Sequence, residues 1–113
     1  MPVQTLTFGG KRFVVLPEAE YRRLAGEPPE PMLPKPDANG HYPAGETMRA
    51  IMARDIIRHR RRLGLTQAEL ARRAGIRPET LNRIERAVRA PSVATGDRID
   101  AALTQAEAEG LGD

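Results

Sequence analysis

Residues 64–85, GLTQAELARRAGIRPETLNRIE, carry the densest set of capping and turn signals in the chain. Thr66 stands where a helix needs a side-chain cap, and Glu69 three residues on completes a capping box by reaching back to the Thr66 amide. Leu65 before the cap and Leu70 inside the helix are spaced as a hydrophobic staple. Gly75 offers the left-handed conformation that stops a helix. Ile76 then gives an apolar pin, and Pro78 suits the opening of a second helix with Leu81 and Ile84 on one face. Ala71 and Ala74 are small where two helices must cross. The expectation is two short helices joined by a tight reversal, a helix-turn-helix unit.

Outward from this unit, more helix is expected on both sides. Met48, Ile51, Met52, Ile56 and Leu63 recur at helical spacing and predict an inward stripe on a preceding helix that ends at Gly64. Pro91-Ser92 breaks and caps again, and Val93, Ile99, Ala102 and Leu103 predict a following helix. The tetrapeptide Thr-Gln-Ala-Glu occurs at 66–69 and at 104–107, which predicts a fifth short turn there, with Glu107 and Glu109 in a frayed end. Residues 48–113 thus read as one helical domain. Residues 27–47 read as an extended, mobile linker, because six of the eighteen residues from Pro28 to Gly45 are proline and proline supports neither helix interior nor central strand. Asn39-Gly40 adds a turn signal, and His41 and Tyr42 read as solvent-facing. Residues 1–26 read as a β-hairpin and a helix. Val3–Phe8 and Lys11–Leu16 are β-prone, Gly9-Gly10 suits a two-residue turn, Pro17 suits a first helical position, and Gly26 suits a stop. The fold class expected is mainly α, with a small β-hairpin plus helix in front.

The chain has 113 residues, no cysteine and no tryptophan. Disulfides, thiolate zinc sites and cysteine nucleophiles are therefore excluded. The longest uncharged apolar run, Phe13 to Pro17, is far short of the roughly 20 residues of a membrane span, and no signal-peptide pattern opens the chain. A cytoplasmic place is expected. Charge is distributed unevenly. Residues 48–98 hold thirteen arginines against five acids, a net +8, while residues 1–45 sum to zero and residues 99–113 carry −4. A basic middle points to a polyanion such as nucleic acid. The single serine, Ser92, sits where a cap is needed, and His59 has neither base nor nucleophile beside it. No glycine-rich phosphate loop and no metal-spaced cluster occurs, so no enzyme, cofactor or metal is expected.

From Ile57 to Leu103 the sequence resembles the Xre family, the lambda-repressor-like (Cro/CI-type) helix-turn-helix domain. The residues that carry the likeness are Arg60, Gly64–Ala71, Ala74-Gly75-Ile76, Thr80–Glu85 and Arg89–Ser92. The resemblance implies a five-helix domain that acts as a homodimer on a near-palindromic DNA operator. It also implies roles. Gln67 clamps a phosphate and braces the recognition helix, with Thr66 beside it. Pro78, Glu79 and Arg83 fall on base-reading positions, where Arg83 suits a guanine O6/N7 edge and Glu79 a cytosine amine. Thr80 and Asn82 fall on backbone or flanking contacts, Arg77 and Arg86 offer further donors, and Arg89 resembles a phosphate contact. Arg60 and Glu85 match an internal ion pair between helices. Several positions depart from the pattern. Ala87 replaces the usual glycine after the recognition helix, so that helix is expected to end differently. Arg77 removes a capping serine, and Gly96, Asp97 and Asp100 weaken the usual dimer surface. Dimerisation is accordingly expected in residues 1–26.

Phe13 to Leu24 resembles the strand-then-helix segment of Phd/YefM-type antitoxins. That resemblance implies partner binding by Phe13, Val15, Tyr21 and Leu24. Joined to the basic domain, it implies the antitoxin of a type II toxin–antitoxin pair, with a small protein toxin as partner. A stand-alone Xre-type repressor is the alternative, and a protein-interaction adaptor that kept the fold without DNA binding is a third reading.

Overall fold

A computed structural model describes residues 4–27 and 29–110. Val3, Pro28 and the last three residues of the 48–113 segment lie outside them. The order is β1 (Gln4–Phe8), β2 (Lys11–Val15), α1 (Glu18–Leu24), α2 (Ala44–Arg62), α3 (Gln67–Ala74), α4 (Pro78–Glu85) and α5 (Val93–Ala108).

The N-terminal strands pair antiparallel in the register Gln4↔Val15, Leu6↔Phe13 and Phe8↔Lys11. Gly9 and Gly10 turn the chain at φ 58° and 77°, the positive-φ pair a two-residue turn needs. Alternation places Leu6, Phe8, Phe13 and Val15 on one face. That face is uncovered: Leu6 is 59% exposed and Phe8 78%. Pro17 caps α1 rather than opening it.

Helix α2 begins four residues before the expected boundary at 48, with Pro43 at the cap and Glu46 in the first turn near the positive end of the dipole. Its inward face differs from the expected one. Ala50, Ala53, Ile56, Ile57 and Arg60 are buried, whereas Met48 and Ile51 are exposed. Ile56 and Leu63 of the expected stripe are buried, so the difference lies in the first half of the helix. There the buried positions are alanines, which send little hydrophobic signal.

Helices α3 and α4 follow the reading of residues 64–85. Thr66 Oγ1 accepts from the Glu69 amide at 3.1 Å. The return arm of the capping box differs from expectation, because Glu69 Oε1 takes the Thr66 hydroxyl proton at 3.1 Å. Gly75 ends α3 at φ 68°. Arg77 caps α4 without a side-chain bond, so Pro78 at the start and Glu79 in the first turn carry that terminus. At its far end α4 contradicts the expectation drawn from Ala87. Ala87 enters the left-handed region at φ 61°, and the Ala87 and Val88 amides donate to Ile84 and Arg83 carbonyls at 3.0 and 3.1 Å. This is the Schellman closure that glycine normally makes. Arg49 Nε, donating to the Ala87 carbonyl at 3.3 Å, holds the turn from α2.

The expected fourth helix and fifth turn are one continuous helix, α5, capped by Ser92. No breaker separates Leu103 from Thr104, and Ala102, Leu103 and Ala106 are buried together. Val93, expected inside, is exposed. Glu107 and Glu109 are not in a frayed end. Glu107 lies 3.3 Å from Arg62 and 3.4 Å from His59, and Glu109 lies 3.0 Å from Arg73. The core gathers Ile56, Leu63, Leu65, Leu70, Leu81, Ile84, Ile99 and Leu103 with the four small alanines 71, 74, 102 and 106. Each large member contributes about 1.5–3 kcal/mol by leaving water. Helix α3 packs on α5 and α4, and α2 packs on α4, which presents the start of α3 and the outer side of α4 together.

Candidate nucleic-acid interface

Beneath that presented face lies a buried charge pair. Arg60 Nε and Nη2 each donate at 2.8 Å to a different oxygen of Glu85, and Nη1 donates to the Leu65 carbonyl at 2.9 Å. Arg60 is 1% exposed and Glu85 is fully buried. Burial opposes the Arg60 charge. The hydrogen bond and charge of Glu85, then Glu27, outweigh it and hold the guanidinium pKa above its ordinary value. A buried pair of this geometry locks α2 to α4.

The pair also sets Gln67. Its Nε2 donates to Glu85 Oε1 at 3.0 Å, and its Oε1 accepts from Asn82 Nδ2 at 3.3 Å. The first residue of α3 is thereby bound to both the buried pair and α4. The Asn82 bond was not legible in the sequence, because residues 15 apart reveal no contact by spacing.

Gln67, Pro78, Glu79, Asn82, Arg83 and Arg86 line one shallow concavity. Glu79, Arg83 and Arg86 are exposed and fall at i, i+4 and i+7, one side of the helix. Thr66, Arg77, Thr80 and Arg89 do not line it. The Thr66 hydroxyl is engaged with Glu69 in both directions. Arg77 and Arg89 flank α4 and are exposed, while Thr80 is half-buried. Guanidinium groups, an amide and a carboxylate on one open face can meet base edges and phosphates. No group of three or more His, Cys, Asp or Glu side chains among the described residues could hold a metal. No helix among them is long and apolar enough to cross a membrane.

Phe13, Val15, Tyr21 and Leu24 are between 43% and 69% exposed, so the described residues leave them largely open. Three contacts escaped the sequence reading. Glu27 pairs with Arg60, and Glu30 pairs with Arg58 at 2.8 Å and with Arg54 at 3.7 Å. The start of the proline-rich segment is tethered to α2 at these points, and no local pattern signals pairing between residues so far apart along the chain.

The geometry is that of a helix-turn-helix DNA-binding unit: a braced first helix, a recognition helix beside it, and a basic open face. Residues 56–107, just under half of the chain, match the model of a helix-turn-helix family, and they form an Xre/lambda-repressor-like helix-turn-helix domain. That domain class acts in DNA-binding transcription regulators. No curated protein and no solved structure matches the chain.

Proposed function

We propose that the chain is a sequence-specific transcriptional repressor that binds a near-palindromic operator as a homodimer and acts as a type II antitoxin. The observation that carries DNA recognition is the concavity where Gln67, itself braced by Glu85 and Asn82, meets Arg83 on the outer side of α4. In this reading Arg83 and Glu79 contact base edges, and Pro78 offers apolar contact. Gln67, Arg77, Arg86 and Arg89 hold phosphates, Thr66, Thr80 and Asn82 flank them, and Arg60–Glu85 keeps the frame. Repression follows from occupying DNA that polymerase needs, and the site of action is the nucleoid in the cytoplasm.

The exposed apolar residues of the hairpin and of α1 support the antitoxin reading. An isolated two-stranded hairpin is marginal in water, and Phe13, Val15, Tyr21 and Leu24 supply the apolar area that a toxin or a second copy would cover. Co-expression of the tagged chain with the neighbouring small reading frame tests this. A stable complex, together with growth arrest by that frame relieved by this chain, is expected. No complex and no arrest would leave a repressor whose hairpin serves dimerisation alone. DNA binding is tested by salt: log affinity for duplex must fall roughly linearly with log salt as counterions are released. A flat response would refute phosphate binding and favour an adaptor.

A further inference from the structure

Glu27 and Glu30 are acids of the N-terminal half that rest on cations of the helix-turn-helix half. The Arg60 nitrogen Nη2 already donates to Glu85 Oε1, and the Glu27 carboxylate takes the same nitrogen. The other Glu27 oxygen lies 3.6 Å from Arg22 Nε. Arg61 stands next to this crowd of cations. Its pKa is held below the ordinary value, first by burial and next by the charge of Arg22. Glu85 alone neutralises Arg60 in full, so Glu27 is a second anion at a position already balanced. Glu30 stands the other way round, as one anion shared by two cations, Arg58 and Arg54.

The segment then runs toward the reading face. Pro29, Glu30, Pro31 and Met32 line a concavity shared with Arg86. Arg86 also lines the concavity with Gln67 and Arg83. At the other end, Glu27 shares Arg60 with Glu85, and Glu85 holds Gln67. Both ends of the segment therefore touch groups that reach the DNA-reading surface.

We propose that Arg54 and Arg58 form an additional phosphate-binding row on α2. In the free protein Glu30 holds this row closed as a stand-in for a DNA phosphate, and Glu27, resting on the buried Arg60, anchors the strap beside it. A phosphodiester and a carboxylate each offer two oxygens to the guanidinium fork, so duplex DNA and the strap compete for the same donors. The strap attaches to the hairpin through Gly26 and α1. Any partner that draws residues 1–26 away opens the row, and DNA that fills the row releases the N-terminal half; the two effects are equal by linkage. The proposal rests on the DNA-binding reading above.

The test uses the full chain, a fluorescein-labelled 24-base-pair duplex of random sequence, and anisotropy titrations across salt. Glu27→Gln/Glu30→Gln is expected to tighten binding on the order of tenfold at low salt, a coupling of ordinary allosteric size. It should also steepen the salt slope by about two, for the two added phosphate contacts of Arg54 and Arg58. Arg54→Ala/Arg58→Ala in that background should remove most of the gain. Glu18→Gln/Glu20→Gln makes the same charge change on α1 and should leave affinity within about twofold of wild type, far below a gain of typical coupling size. Glu30→Gln alone, at an exposed pair, keeps the test valid if loss of Glu27 lowers the melting temperature. Equal affinities of wild type and strap variants would overturn the proposal and leave the DNA reading standing. A gain that the α1 control reproduces, or that survives loss of Arg54 and Arg58, would overturn it as a plain charge effect. Failure of every variant to bind duplex would overturn both readings together.

Discussion

Replacing Ala87 with glycine should stabilise the domain. Ala87 is the one non-glycine residue with positive φ among the described residues, at 61°. The left-handed conformation costs an L-residue roughly 1–2 kcal/mol, because Cβ crowds the following carbonyl. Glycine escapes that cost but loses about 0.4–1 kcal/mol more backbone entropy on folding. The difference is a net gain of about 0.5–1 kcal/mol. The Schellman bonds to Ile84 and Arg83 and the Arg49 bond to the Ala87 carbonyl use backbone atoms only, so glycine keeps them all. For a domain of this size about 1 kcal/mol moves the melting temperature by roughly 4–8 °C. Thermal melts followed by circular dichroism should therefore show Ala87→Gly melting about 2–8 °C higher, by the same conversion. Ala87→Val adds a branched Cβ at the strained residue and should melt lower than wild type. An unchanged or lowered midpoint for the glycine variant would show that α4 does not end through a left-handed residue, and the account of the recognition helix's terminus would fail.

Four other predictions bear on the frame and the interface. Glu85→Ala leaves Arg60 buried without its bidentate partner and should cost about 3–5 kcal/mol in denaturant unfolding; Arg60→Leu/Glu85→Leu should cost much less than the sum of the single changes, and strict additivity would contradict the pairing. Arg83→Ala should cost about 1–3 kcal/mol in operator affinity and relax preference at one base pair in a randomised-site selection; equal loss on all sequences would rule out base reading there. Gln67→Ala should weaken all sequences alike, and a loss confined to one operator position would give it a reading role instead. Deleting residues 1–26 should shift the mass in light scattering toward monomer, whereas an unchanged dimer mass would place the interface on the helical domain.

Legibility followed the range of the interactions. Thr66, Gly75, Pro78 and Ser92 act on backbone groups within four residues, so their caps and stops could be read locally. The Glu69 return arm could not, because a hydroxyl and an amide of the same residue compete for one carboxylate and spacing does not choose between them. The stripe on α2 was legible at Ile56 and Leu63 but not before them, because Met48 and Ile51 are apolar yet exposed, while Ala50, Ala53 and Arg60 are buried. The continuous α5 was divided in the sequence reading by a repeated tetrapeptide that has no breaker in front of it.

The sequence by itself determined the helix-turn-helix unit, the hairpin turn at Gly9-Gly10 and the basic character of residues 48–98, since capping, turn chemistry and charge are carried by neighbours along the chain. Tertiary structure alone decided which face of α2 is buried and that Ala87 bears a left-handed turn held by Arg49. It also joined Glu27, Arg60, Glu85, Gln67 and Asn82 in one polar network from the N-terminal segment to the reading face. Those outcomes depend on charges and surfaces that meet only when α2, α4 and the segment before them pack together, and the separation of their residues along the chain carries no record of that meeting.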